Sequence, residues 1–339
     1  MQSTLTVKTS QGSYPITVKR GALAHVGELL SLDRRVLIVT DDGVPREYAE
    51  RVASACLSPT VIVLPQGEGT KSLASFELLL QTMLDNGFTR HDCVVAVGGG
   101  VIGDLAGFAA SAYMRGVDFY NVPTTLLSQV DSSIGGKVAV NLGGIKNSVG
   151  AFYPPRAVVI DPDVLKTLPP RQLSSGLAEA VKMAATHDEA LFEMFESGAW
   201  QSRLDEVILA ALSIKRAVVE EDEKETGLRR VLNFGHTVGH GIEVQENGLY
   251  HGECVALGML SMCSSAVRAR LVPVLEALGL PTSCSGDKTA VLDAVAHDKK
   301  AESTGVTAVI VDRIGSFRLE ALTKEDIAAR MDEALPNIK

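Results

Sequence analysis

Cysteine is scarce in this chain of 339 residues. Cys56, Cys93, Cys254, Cys263 and Cys284 are odd in number, scattered and without C-x-x-C spacing. That pattern argues against a disulfide framework or a thiolate metal site and fits free core thiols in a reducing cytosol. Long apolar runs are missing too, since no uncharged stretch reaches the ~18 residues that a membrane-crossing helix needs. The opening MQSTLTVKTSQGSYPITVKR has no apolar h-region; it alternates polar with apolar residues and reads as two short strands, not as a signal peptide. Positive charge is in deficit, with 32 Lys and Arg against 41 Asp and Glu and a net charge of −9. Such a balance argues against binding nucleic acid or anionic membranes. Any anionic ligand must therefore meet a local basic cluster. Internal repeats and low-complexity tracts are absent as well.

What is present is 46% hydrophobic residues, ample for the cores of two domains if a domain averages ~150 residues. The first 160 residues alternate β-branched runs with amphipathic stretches. RVLIVT at 35–40 precedes a helical stretch opened near Pro45, TVIVLP at 60–65 precedes one from Ser72 to Asn86, and CVVAVGGG at 93–100 precedes VIGDLAGFAASAY. VDFYNVP and AVVIDP supply two further strands. This alternation predicts an α/β fold with a parallel sheet and helices on both faces. After Asp161, apolar residues recur at helical spacing, so residues 161–339 are expected to be almost wholly helical apart from a small hairpin at GVTAVIVDRIGSFRLE. The domain boundary is expected near residue 160.

Gly98, Gly100 and Gly103 stand in G-x-G-x-x-G spacing after a strand and at a helix start, where backbone N–H groups and the helix dipole cradle phosphate. Asp41 and Asp42 end an earlier strand and could accept hydrogen bonds from a ribose diol. QGEGTKS, with Glu68 and Lys71, follows the next strand. Three strand ends with ribose or phosphate chemistry predict a dinucleotide along the carboxyl edge of the sheet.

The segment from Pro123 to Phe152 sets Asp131, Lys137, Asn141, Lys146 and Asn147 among glycines and small apolar residues. Lone lysines in such a setting suggest convergence on a ligand. GLAEAVKMA places Glu179 and Lys182 in an otherwise apolar helix, where neither belongs unless paired. Lys215, Arg229, Asn233, His236, His240 and His251 follow. His236 and His240 are spaced to share a helix face, as in H-E-x-x-H, but Thr237 stands where that motif has its glutamate base. A catalytic zinc often takes two histidines and a carboxylate and keeps one position open. The ligand candidates are His236, His240 and His251, with Glu179, Glu243 or Glu253 as the acid. Spacing alone favours His236 and His240 as the pair.

Taken together, GGGVIGDLAGFAA, MRGV, VPTTLLSQVDSSIGGKVAVN, KNSVGAF, GLAEAVK, LNFGHTVGHGIE and HGECVALGM resemble, in order, the motifs of the 3-dehydroquinate synthases. The resemblance implies a Rossmann-like NAD domain over residues 1–160 and a helical metal- and substrate-binding domain over 161–339. It also implies a reaction: 3-deoxy-D-arabino-heptulosonate 7-phosphate becomes 3-dehydroquinate and phosphate through transient oxidation by NAD, phosphate elimination, reduction and aldol closure. By motif position it implies Glu179, His236 and His251 as ligands of zinc or cobalt, with His240 beside the substrate phosphate. Arg115, Lys137, Lys146, Lys182, Lys215 and Arg229 would hold the anionic sugar-acid phosphate, with Asn147 and Asn233 as neutral partners and Asp131 on its hydroxyls. Asp41, Glu68, Lys71, Gly99, Gly100, Asp104, Thr124, Thr125 and Thr167 would bind NAD. HDKK at 297–300 resembles a segment that supplies a phosphate-binding lysine, Lys299 or Lys300. A cytoplasmic homodimer acting in the shikimate pathway is the further expectation.

Other sugar-phosphate cyclases share these features, and Arg229 with His240 favours a substrate that carries a carboxylate. A metal-dependent alcohol or glycerol dehydrogenase would release reduced NAD and would not need so many lysines and arginines.

Overall fold

A computed structural model describes residues 2–245, 248–297, 301–302 and 305–339. The chain forms two compact units, Met1–Leu168 and Pro169–Lys339. The first ends beyond residue 160 because a turn over Pro162–Thr167 stays with it, burying Val164 and Leu165 and bonding Thr167 Oγ1 to the Tyr48 hydroxyl at 2.9 Å.

In the first unit β1 (Gln2–Thr9) and β2 (Gly12–Lys19) form an antiparallel hairpin. The short helix α1 (Val26–Leu29) leads to β3 (Arg35–Asp41), α2 (Arg46–Ser54), β4 (Ser58–Leu64) and α3 (Leu73–Asp85). Then come β5 (Cys93–Gly98), α4 (Gly100–Ala112) and β6 (Asp118–Pro123). An antiparallel ribbon, β7 (Lys137–Leu142) with β8 (Ile145–Phe152), precedes β9 (Ala157–Ile160). The main sheet runs β1-β2-β9-β6-β5-β3-β4, parallel except for β1. Its central strands are continuous β-branched runs because both faces are covered. Val36 and Ile38 of β3 enter the core beneath α1 and α2, while Leu37 and Val39 enter the one beneath α3 and α4. Pro59 is accommodated because β4 is an edge strand. The chain winds from β3 to β4 on one side and returns with β5 on the other. Between β3 and β5 lies the switch point at which open α/β sheets bind ligands.

The second unit contains α5 (Pro170–His187), α6 (Glu189–Glu196), α7 (Leu204–Glu221), α8 (His236–Glu243), α9 (His251–Ser261), α10 (Ser265–Ala277) and α11 (Lys288–His297). A small sheet, β10 (Ala301–Glu302), β11 (Gly305–Ile310) and β12 (Arg318–Leu322), is followed by α12 (Lys324–Ala334). The expected hairpin is β11–β12. Among the described residues no helix is long and apolar enough to cross a membrane.

Glycine sets the approach of α8 to α9. A Cβ on Gly258 would stand 1.8 Å from the Gly235 carbonyl oxygen, and one on Gly239 would stand 2.8 Å from that of Cys254. Both contacts are with backbone, which no side-chain rotation relieves. Gly258→Ala is therefore expected to lower stability by about 1–3 kcal/mol or more, read from denaturant unfolding, and to push apart the helices that carry His236 and His251.

Candidate active site

The carboxyl ends of the parallel strands bring one set of predicted residues to one edge of the first unit. Asp41 ends β3, and its Oδ1 accepts from Gly43 N at 2.9 Å; burial raises its pKa above the ordinary value. The loop after β4 carries Glu68 and Lys71. Gly67 there has φ 103, and no heavy atom lies within 4 Å of a Cβ built on Gly67 or Gly69, which leaves open space beside exposed backbone. Gly99 caps α4, and a Cβ on it would lie 3.1 Å from Thr125 Cγ2. Gly100 likewise faces Ser132, and Gly103 faces Asn121. Glycine is thus needed here for close packing as well as for any phosphate. Thr124 N donates to Gly98 O at 2.9 Å, and Thr125 Oγ1 accepts from Ser128 N at 3.2 Å. Thr167, with its hydroxyl engaged by Tyr48 and by Val164 O, has a local structural role.

Lys71 is buried, and its ammonium donates to Asp104 and to Asn147 Oδ1. Asp131 lies in a π-helical turn over Ser128–Ser132. Lys137 opens β7, and Lys146 with Asn147 lies near the start of β8, where Asn147 adopts φ 55. Arg115 follows α4 in a turn where Met114, Arg115 and Gly116 all have positive φ.

The second unit gathers Glu179 and Lys182 from α5 with His236, His240 and His251 from α8 and α9, while Lys215 is buried on α7. Glu179 is 1% exposed and Lys182 2%, and the two form an ion pair. Glu179 Oε1 lies 3.8 Å from His236 Nε2 and 3.4 Å from His251 Nε2. Neither carboxylate oxygen has a hydrogen bond of good geometry. Tetrahedral ligands about 2.1 Å from a zinc ion stand about 3.4 Å from one another, so the donor set and its spacing fit a divalent cation. The other ring nitrogens are engaged as ligating imidazoles require: His236 Nδ1 lies 3.2 Å from Phe234 O, and His251 Nδ1 lies 3.2 Å from Glu243 Oε2.

Charge follows from this geometry. Burial would raise the Glu179 pKa, but the Lys182 ammonium and contact with His251 hold it well below the usual carboxylate range. Burial and Lys182 push His236 well below its ordinary value, leaving it neutral as a ligand must be. Burial would also lower His251, but Glu179 and Glu243 carry it up to about 10. A metal ion must displace that proton to bind.

Spacing alone favoured His236 with His240, and the fold arranges them otherwise. Their rings lie 5.0 Å apart, yet among the described residues no group of three close metal-capable donors contains both; His240 groups with Glu243 and His251. Glu253 is no ligand candidate here. Its carboxylate receives Arg171 at 2.7 Å and caps α9 by accepting from Tyr250 N. Lys299 and Lys300 lie outside the described residues.

A sequence profile described as 3-dehydroquinate synthase N-terminal matches residues 61–175, and one described as 3-dehydroquinate synthase C-terminal matches 176–301. The 3-dehydroquinate synthase of Enterococcus faecalis (strain ATCC 47077 / OG1RF) is 41% identical over 348 residues, covering 96% of this chain and 97% of its own. That of Geobacter metallireducens is 42% identical over 344 residues, covering 94% and 96%. The chain belongs to the 3-dehydroquinate synthase family. Solved structures agree with the architecture. A 2-deoxy-scyllo-inosose synthase complexed with carbaglucose-6-phosphate, NAD+ and Co2+ is 26% identical, with a TM-score of 0.88 over 98% of this chain and 100% of that one. The 2-epi-5-epi-valiolone synthase of Streptomyces hygroscopicus, with NAD+ and Zn2+ bound, is 28% identical, with a TM-score of 0.86 over 96% and 98%.

In this dehydroquinate synthase family member, sequence reasoning missed the carboxylates that order the loop carrying Arg229 and Asn233. Asp222 accepts from the backbone N–H of Thr226, Gly227 and Arg229 at 2.7–3.0 Å, and Glu225 accepts from Asn233 Nδ2 at 2.7 Å. The acidic run EEDEKE gives little hint of this, because a run of charges ordinarily reads as a solvated face. Burial would raise the Asp222 pKa, but the three N–H donors hold it down to about 2. Its contribution is therefore complete above the unfolded value of ~3.9 and lost as pH falls towards 2. Asp222→Ala is expected to lower the thermal midpoint at pH 7 by about 2–4 °C, with the gap from wild type closing on acidification; scanning calorimetry across pH checks it.

Proposed function

We propose that this family member converts 3-deoxy-D-arabino-heptulosonate 7-phosphate into 3-dehydroquinate and phosphate, acting as a cytoplasmic homodimer in the shikimate pathway. The observation that carries the reading is the convergence of Glu179, His236 and His251 from three helices beside buried Lys182, in a chain matched over nearly its whole length by dehydroquinate synthases. NAD, when bound, accepts and returns a hydride, and zinc or cobalt held by Glu179, His236 and His251 polarises the hydroxyl being oxidised.

On this reading, Asp41, Glu68, Lys71, Gly99, Gly100, Asp104, Thr124 and Thr125 bind the dinucleotide. Asp41 and Glu68 have the carboxylates that ribose hydroxyls need, and the loop at Gly67–Gly69 exposes backbone to phosphate. Thr167 belongs with them by motif position alone. Arg115, Lys137, Lys146, Lys182, Lys215, Arg229 and Lys299 supply cations for a substrate with both a carboxylate and a phosphate. Asp131, Asn147 and Asn233 bond its neutral groups. His240 holds or moves a proton beside the departing phosphate. Thr237 replaces no missing base, because no water is activated for hydrolysis.

Incubating the protein with 3-deoxy-D-arabino-heptulosonate 7-phosphate, NAD and zinc tests the proposal. Phosphate and dehydroquinate in equal amounts without net NADH support it. Net NADH would point to a dehydrogenase, and no turnover after zinc is restored to chelated protein would refute it.

A second reading, another sugar-phosphate cyclase, draws on the similarity to 2-deoxy-scyllo-inosose synthase in fold. It is the weaker one, because identity to that enzyme is 26% against 41% to a dehydroquinate synthase.

A further inference from the structure

One side chain joins the β7–β8 ribbon to the loop that follows β4. Asn141 donates from Nδ2 to Glu68 Oε1 at 2.8 Å and accepts at Oδ1 from Asn147 N at 2.9 Å. Its backbone N–H donates to Lys71 O at 2.8 Å, and it forms an isolated parallel bridge with Ser72. The ladder between β7 and β8 shifts register between Val140 and Leu142, a bulge that re-aims side chains. Opposite it stands Asn147, in the left-handed region that non-glycine residues rarely adopt, Asn being among the exceptions. Asn147 Oδ1 accepts from Lys71, which also donates to Asp104. A closed circuit results: Asn141 to Asn147, Asn147 to Lys71, and Lys71 back to Asn141 through the backbone, with Glu68 joined to it at Asn141. Only an amide serves at position 141. A carboxylate cannot donate to Glu68, and a single hydroxyl is too short to reach both partners.

We infer that Asn141 is a positioning residue that holds the Glu68 carboxylate and the Lys146–Asn147 segment of β8 in one arrangement, so that NAD and the sugar-acid phosphate bind cooperatively through it. The inference rests on the proposed assignment of Glu68 and Lys71 to the cofactor and of Lys146 and Asn147 to the substrate. Ordering either side pre-organises the other, and the coupling is reciprocal, because each ligand changes the affinity for the other by one and the same factor.

Two variants separate the two ends of the bridge. Asn141→Ala frees both ends, so the KM values for NAD and for substrate rise by about tenfold or more, the size expected for a hydrogen bond to a charged group. Asn141→Asp can still accept from Asn147 N but repels Glu68, so KM for NAD rises most and, because the coupling is reciprocal, KM for substrate rises as well, by a smaller factor. Zinc content and far-UV circular dichroism serve as controls for folding. Wild-type turnover is measured first, and its failure would refute the proposed function without bearing on the bridge. In folded variants, wild-type KM values for NAD would overturn the inference whatever happens to kcat, as would a wild-type KM for substrate in Asn141→Asp, since lost reciprocal coupling must weaken both. Should Asn141→Ala fail to fold, the NAD KM of Asn141→Asp decides alone.

Discussion

His236→Ala protein is expected to lose its metal on dialysis and to show no turnover, whereas His240→Ala protein keeps its metal and loses about two to four orders of magnitude in kcat. The first loss follows from geometry. Among the described residues, only Glu179, His236 and His251 bring donors together around buried Glu179, and a three-donor site reduced to two no longer fills the shell that zinc requires. The second is the usual size of one general acid or base, and His240 lies outside that donor group while its ring stays 5.0 Å from His236. Metal content by mass spectrometry and phosphate release by a coupled assay check both halves. Equal metal loss in the two variants would refute the division of roles.

Lys182→Met is expected to destabilise metal-stripped protein by about 3–5 kcal/mol, the cost of leaving one partner of a buried ion pair alone. Zinc should restore most of that, because the cation then supplies the countercharge. The sign with pH follows from Glu179. Burial would raise its pKa, but Lys182 and His251 hold it well below the ordinary value. The wild-type pair therefore contributes stability that is present above ~4.3, the unfolded carboxylate value, and lost as pH falls through the folded one. In Lys182→Met that support is gone, and the variant is expected to be closest to wild type in acid. Urea unfolding of chelated protein at two pH values, with and without zinc, measures this. A destabilisation unaffected by zinc would show that Lys182 supports the helix and not the site.

Much of the fold was legible from pattern. The runs at 35–40 and 93–98 are buried on both faces, so they lack alternation and announce parallel strands, and the edge run at 60–65 shows as a strand by its β-branched residues although Val61 and Val63 are exposed; the helical spacing after residue 161 is equally plain. The β7–β8 ribbon was not read as strands, because Lys137, Asn141, Lys146 and Asn147 interrupt its apolar pattern at the positions the candidate site uses. Asp222 and Glu225 were hidden for a related reason: nothing local distinguishes a carboxylate that collects backbone N–H groups from one that faces water.

By itself the sequence determined the α/β-then-helical order, the glycine-rich turn after β5 and the inventory of donors, including two histidines on one face of α8. Only the tertiary structure decided which donors meet. Periodicity sets the direction of side chains along one helix, but the distance to a donor on another helix depends on how closely the two pack. Here Gly235, Gly239 and Gly258 let α8 and α9 touch backbone to backbone, and α5 delivers Glu179 from far along the chain. That contact groups His236 with His251 and Glu179, and leaves its nearer neighbour in sequence, His240, for other work.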